Sequence, residues 1–176
     1  MIGQDVLDRI KKIRLLVLDI DGVMTDGHII YSIYGDELKF FDVQDGFGIT
    51  LLRRAGIKSV IITAKKSRIV KLRARDMKVA KAYQGCVIKL KAFEHALRKF
   101  RVRPEEVCFI GDDLIDLPIL KRVGFAVAVP NAVDEVRQYA HFVTSRAGGH
   151  GGVRELCDLI LKTQGKWDLV TEKYFK

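Results

Sequence analysis

Residues 14–20, RLLVLDI, form an apolar run that meets a carboxylate at Asp19. A continuous Leu/Val run bounded by charge reads as a strand buried on both faces, the kind found in parallel sheets. Further runs of this type lie at 58–63 (KSVIIT), 78–83 (KVAKAY), 106–111 (EVCFIG), 124–129 (GFAVAV) and 141–144 (HFVT). Helical patterns fall between them, near 45–55, 67–76, 88–100, 113–122, 132–139 and 151–163. Within 88–100, Leu90, Phe93, Leu97 and Phe100 recur at helical spacing, and core packing is the plain reading of that stripe. Alternating strands and helices predict an α/β fold, a doubly wound parallel sheet, with 1–176 as one domain.

One segment breaks the rhythm. HIIYSIYGDELKFFDV, 28–43, holds two short β-rich pieces around a Gly35-Asp36 turn signal and predicts an inserted antiparallel hairpin. The last stretch, GKWDLVTEKYFK from Gly165, mixes glycine and charge like a tail that leaves the body of the fold.

The totals narrow the function classes. The chain has 176 residues, enough for a full core, with 48% hydrophobic and 30% charged residues. No apolar run is long enough to cross a bilayer, and the first residues lack a signal-peptide core, so a cytoplasmic protein without membrane contact is expected. Cys86, Cys108 and Cys157 have no metal-ligand spacing and read as reduced thiols. The net charge is +9. Nucleic acid, an anionic surface or a small anionic substrate would each suit it. The basic residues are dispersed, however, and no zinc-finger or RNA-binding signature accompanies them.

Chemistry collects at the strand ends, where open α/β sheets bind ligands. The first strand runs into LDIDGVMTDG. Asp19 and Asp21 are two apart, so an extended chain points them the same way, and crowded carboxylates need a cation or a shared proton. Alone, D-x-D-G would read as a turn. The fourth strand ends CFIGDDLID, with Asp112 and Asp113 after Gly111 and Asp116 a helical turn on. Two acidic strand ends make a hard-cation site, and oxygen ligands suit Mg2+. Thr63 ends the second strand and is read at a helix start, an anion site. Lys89 opens the helix after YQGCVI. The histidines (His28, His95, His141, His150) read as surface or core residues, and Gly148 and Gly149 as serving backbone geometry.

This set resembles the haloacid dehalogenase superfamily of phosphotransferases: D-x-D, Thr, a downstream Lys and GDD at successive strand ends. DIDGVMTDG, DVQDGFGI, YQGCVIKL, GDDLIDLP and AGGHGGVREL are similar to the 3-deoxy-D-manno-octulosonate 8-phosphate (Kdo 8-phosphate) phosphatase family. The resemblance implies a capless domain and Mg2+-dependent hydrolysis of a small anionic sugar phosphate, a step toward lipopolysaccharide. It implies a homotetramer built through the hairpin. Asp19 would be the nucleophile and Asp21 the general acid and base, with Thr63 and the Ala64 N–H on the phosphoryl group beside Lys89. Mg2+ would be held by Asp19, the Asp21 carbonyl and Asp112, with Asp113 behind them to orient water or Lys89, and Asp116 also behind them. Substrate contacts carry over to Val43, Gln44, Asp45, Gly46, Ala64, Lys65 and Arg73. The family usually has Arg where Gln44 stands, and Gly-Arg where Ala64-Lys65 stands. Lys keeps the charge of Arg but loses its planar fork. The alternatives are a phosphatase for a nine-carbon sialic-type sugar acid 9-phosphate and, in another class, a basic nucleic-acid-binding module. The intact set of Asp19, Asp21, Thr63, Lys89 and Asp112 argues against the module.

Overall fold

Apolar runs become the sheet. In the computed structural model, which describes residues 2–34 and 37–176, six parallel strands form where the sequence predicts them. They are β1 (Leu15–Leu18), β4 (Lys58–Ile62), β5 (Lys81–Tyr83), β6 (Val107–Gly111), β7 (Phe125–Ala128) and β8 (Phe142–Val143). Strands β2 (Ile30–Tyr31) and β3 (Glu37–Leu38) pair antiparallel outside this sheet. The sheet order is β5-β4-β1-β6-β7-β8. The chain builds outward from β1 through β4 to β5, then returns to lay β6, β7 and β8 on the other side. Leu15 pairs with Lys58 of β4 and with Val107 of β6, which makes β1 central. Every residue of β1, β6 and β7 is buried, which is why these strands read as unbroken apolar runs.

Helices cover both faces. On one lie α1 (Gln4–Lys11), α2 (Val43–Arg54) and α7 (Gly152–Thr163), with α2 packed along α7. On the other lie α4 (Lys89–Phe100), α5 (Leu117–Leu120) and α6 (Asp134–Tyr139), packed in sequence against one another. The stripe on α4 is core: Phe93 is buried, and Leu90, Leu97 and Phe100 pack against the same cluster. Helix α3 (Arg68–Asp76) links β4 to β5.

Two expectations need correction, and one helix adds to them. Helix α1 was not foreseen; it holds to the body through Ile10, Val6 and an Arg9 Nη1 bond to the Gly124 carbonyl at 3.0 Å. The C-terminal stretch does not leave the body. It forms α8 (Trp167–Thr171), buries Val170 and Thr171, and sets Tyr174 edge-on to Phe47 at 5.6 Å. Trp167 and Val170 offer apolar area that solvent would penalise. The segment 113–122 is also not one helix, since a 3-10 turn at Leu114–Asp116 precedes the short α5.

The hairpin stands away from the sheet. Ile33 and Tyr34 are 93% and 85% exposed, so it is not folded back on its own body. Its turn signal, Gly35-Asp36, lies outside the described residues.

Candidate active site

The first strand delivers Asp19 to the middle of the sheet. Asp19 N–H donates to the Ile110 carbonyl at 3.1 Å, extending the β1–β6 ladder by one step. The chain then turns sharply, and the Ile20 carbonyl accepts from Met24 N–H at 2.8 Å. Gly22 is required here: φ is +88°, and a Cβ would lie 1.9 Å from Asp112 Oδ2. Asparagine 131 ties this loop to the glycine-rich segment, since Nδ2 donates to the Gly22 carbonyl and Oδ1 accepts from Gly148 N–H, both at 2.8 Å. A Cβ on Gly148 would lie 1.9 Å from the Gly22 carbonyl oxygen, a backbone atom that cannot swing aside. The AGGHGG motif thus clamps the loop that carries Asp21, and His150 is exposed.

Lys89, at the first turn of α4, reaches into the same place with its side chain 1% exposed. Nζ lies 2.8 Å from Asp19 Oδ1, an ion pair outside hydrogen-bond geometry, and donates to Asp116 Oδ1 at 2.7 Å. The other Asp116 oxygen accepts from Asp112 N–H at 3.0 Å. Both Asp116 oxygens are therefore engaged. Oδ1 of Asp19 and Oδ1 of Asp112 are buried without a hydrogen bond. Oxygens of Asp19, Asp112 and Asp116 approach within 4.8 Å of one another.

One ammonium among three carboxylates leaves excess negative charge. Burial, and then the Asp116 charge, push Asp19 up to about 7. Burial, and then Asp19 and Asp116, push Asp112 up to about 8. Burial works against the Lys89 charge, but Asp19 and Asp116 outweigh it and raise its pKa. The carboxylate atoms left without a hydrogen bond are oxygens of Asp19 and Asp112, the ligand type of a hard divalent cation.

A cavity of about 170 Å3 opens on this cluster. Asp19, Asp21, Thr63, Ala64, Lys65, Lys89 and Asp112 line it, with exposed Asp113 and Ile115 completing the wall. A larger hollow of about 540 Å3 along α3 is lined by Arg68, Lys71, Leu72 and Arg75. Those lining residues include no carboxylate or nucleophile.

Thr63 reaches the cavity by another route than expected. It does not open a helix: β4 ends at Ile62, and α3 begins at Arg68 behind its Ser67 cap. Thr63 N–H donates to the Tyr83 carbonyl at 3.0 Å, so the sheet has already taken that donor. Asp113 does not orient Lys89, because its carboxylate caps Leu114 N–H at 2.7 Å; Asp116 holds the lysine instead.

Val43, Gln44, Asp45, Gly46 and Arg73 are not part of the cavity wall. They form a second group around the start of α2, which begins at Val43 rather than at 45 because the Asp42 carboxylate caps Gln44 N–H at 2.6 Å. Arg73 stacks over Phe41 and donates to the Asp42 carbonyl at 2.7 Å. Gln44 accepts from Arg146 at 3.1 Å, and Val43 is 79% exposed. Asp45 is fully buried and its Oδ1 accepts from Arg154 N–H at 2.7 Å, so its carboxylate caps α7 rather than lining the cavity.

Asp45 carries a stability prediction. Burial raises its pKa from 3.8 to about 6, the Arg154 N–H opposes the rise, and the Asp42 charge adds to it. The folded state therefore holds this proton more tightly than the unfolded state. Stability is lost as pH climbs from about 4 to about 6 and is flat above. Each pKa unit is worth about 1.4 kcal/mol, so the loss is on the order of 3 kcal/mol. Urea midpoints across this range should fall less in Asp45→Asn than in the parent, and parallel curves would refute the assignment.

Lys39 escaped the sequence reading. Its side chain is 1% exposed, paired with Asp21 Oδ1 and 2.9 Å from Glu37 Oε1. Opposite charges two apart in a strand, Glu37 and Lys39, were the available signal.

A central parallel sheet with paired aspartates, threonine and lysine at its carboxyl edge is the architecture of a haloacid dehalogenase-like hydrolase, and the family model of that description matches residues 50–156. The 3-deoxy-D-manno-octulosonate 8-phosphate phosphatase of Escherichia coli is 44% identical over 167 residues, 95% of this chain and 89% of that protein. The crystal structure of the Yersinia pestis phosphatase of the same name superimposes with a TM-score of 0.91 at 45% identity, covering 93% of this chain and 88% of that one. The Moraxella catarrhalis phosphatase, solved with magnesium ion, phosphate ion and a KDO molecule, gives 0.94 at 37% identity over 97% and 98% of the two chains. The chain belongs to the 3-deoxy-D-manno-octulosonate 8-phosphate phosphatase family of haloacid dehalogenase-like hydrolases.

Proposed function

We propose that this chain hydrolyses 3-deoxy-D-manno-octulosonate 8-phosphate to Kdo and phosphate with Mg2+, as one capless domain in a cytoplasmic homotetramer serving lipopolysaccharide synthesis. The observation that carries the reading is the convergence of Asp19, Asp21, Thr63, Lys89 and Asp112 on one cavity, in a chain 44% identical to phosphatases of that name. Buried Asp112 Oδ1, which accepts no hydrogen bond, and Asp19, whose Oδ1 has only its ion pair with Lys89, fit a magnesium ion, with the Asp21 carbonyl as a further ligand. When bound, Mg2+ supplies positive charge against the carboxylates and the transferring phosphoryl group.

Asp19 attacks phosphorus. As the Asp19–phosphorus bond forms, the bond to the sugar oxygen breaks, and its electron pair leaves with that oxygen. Asp21 passes its proton to the departing oxygen. Water then attacks the aspartyl-phosphate, Asp21 takes the water's proton, and the Asp19 carboxylate is restored. Thr63 Oγ1, the Ala64 N–H and Lys89 Nζ hold the phosphoryl oxygens, and Lys65 meets the anionic substrate at the mouth. Such positioning is most of phosphoryl-transfer catalysis.

The cavity suits a phosphoryl group better than an eight-carbon acid, since small-molecule pockets commonly exceed 300 Å3. The sugar therefore extends outward, toward Val43, Gln44 and the Arg73-held loop. Exposed Tyr31, Ile33, Tyr34 and Phe40 on the hairpin support burial against another subunit that closes the site. No helix among the described residues is long and apolar enough to cross a membrane.

Phosphate release should be compared for Kdo 8-phosphate and a nine-carbon sialic-type 9-phosphate, with Mg2+ and with chelator. Expected is a kcat/KM for Kdo 8-phosphate at least about tenfold higher, abolished by chelation. Equal values for the two esters would sink the substrate assignment.

A further inference from the structure

Lys39 takes no step in the reaction above, yet its side chain is 1% exposed, as is that of the catalytic lysine, although the residue as a whole is only half-buried. A buried ammonium persists only where it is paired. Its partners are Asp21 Oδ1 and Glu37 Oε1. Asp21 lines the cavity with 23% of its side chain exposed, whereas Lys39 does not line it and cannot meet a substrate. The aspartate thus faces the cavity and, on another side, touches the base of the hairpin.

We infer that Lys39 is the positioning residue for proton transfer: its ammonium anchors Asp21 Oδ1 and leaves Oδ2 aimed at the bridging ester oxygen. This rests on the reading of Asp21 as acid and base. Oδ1 can accept from the ammonium whether or not Oδ2 carries a proton, so the anchor holds through both halves of the cycle. A free carboxylate on a loop samples several rotamers, and proton transfer needs one of them. Glu37 fixes the lysine in turn, and both come from the returning arm of the hairpin, at β3 and the residue after it. The element that points outward from the sheet is therefore also the one that sets the angle of the acid.

The leaving group tests this. A sugar oxygen needs a proton as its bond to phosphorus breaks; 2,4-dinitrophenolate departs as an anion. The ratio kcat/KM reports steps up to that cleavage and excludes hydrolysis of the aspartyl-phosphate. Lys39→Met should lose about a hundredfold in kcat/KM on the sugar phosphate, in the range of a general-acid contribution, and stay within about threefold on dinitrophenyl phosphate. Activity on the aryl ester also reports that the variant has folded. Lys39→Arg, which keeps a cationic donor, should regain about tenfold of the loss. Equal losses on both esters, or none on either, overturn the proposal. Asp21→Asn is the reference: its loss on the sugar phosphate should exceed its loss on the aryl ester. Absence of that difference in Asp21→Asn would unseat the acid reading itself, and the proposal with it.

Discussion

Asp19→Asn is expected to stop turnover: phosphate release with Mg2+ falls at least about a thousandfold, in the range for removal of a nucleophile. Asparagine keeps the shape and can keep the backbone bond to Ile110 that seats the residue. A neutral amide cannot make the aspartyl bond, and it takes away the negative charge that Asp19 offers a cation. Stability should move the other way. Burial and Asp116 already hold the Asp19 pKa at about 7, so above that pH the metal-free fold carries an ionised carboxylate against its environment. Deleting that charge should raise the thermal midpoint of the metal-free protein at pH 8 by several degrees, at about 2–4 °C per kcal/mol. Loss of function with gain of stability is the signature of a strained active-site charge. Undiminished turnover in the variant would refute the covalent route.

What the sequence disclosed follows from what burial writes into it. Strands covered on both faces must be apolar throughout, so β1, β4, β6 and β7 announce themselves, and strand ends carrying Asp19 and Asp112 locate the chemistry. Helix α1 does not show in the sequence because QDVLDRIK fully buries only Ile10 among its charges. The C-terminal helix was missed because WDLVT is too short for a period to show. Asp45 and Asp116 look like other helix-start acids in sequence. Only tertiary placement sends one under α7 and the other onto Lys89. Lys39 stayed hidden for the same reason, since its partner Asp21 lies across the insertion.

Lys89→Met should also inactivate, by about a hundredfold or more, because it removes a preorganised charge from the phosphoryl site. Its stability change should be opposite in sign to that of Asp19→Asn. Methionine fills most of the volume of the lysine stem, so the packing loss is modest and the change is chiefly electrostatic. Asp19 and Asp116 lose the cation at 2.8 and 2.7 Å, with Asp112 close by. Breaking a buried ion pair by removing one partner costs about 3–5 kcal/mol. The metal-free variant should therefore unfold at a clearly lower urea midpoint. The pair of variants then tests the charge balance directly. If Asp19 is destabilising because it is one carboxylate too many, Asp19→Asn should relieve much of the damage done by Lys89→Met. The double variant should be more stable than Lys89→Met alone, and the two effects should not add, since the residues are in contact. Simple additivity across the cycle would mean that the lysine and the aspartate are not coupled. Lys89 would then act through Asp116 and its packing, and the account of Asp19 as the surplus charge relieved by the lysine would fail.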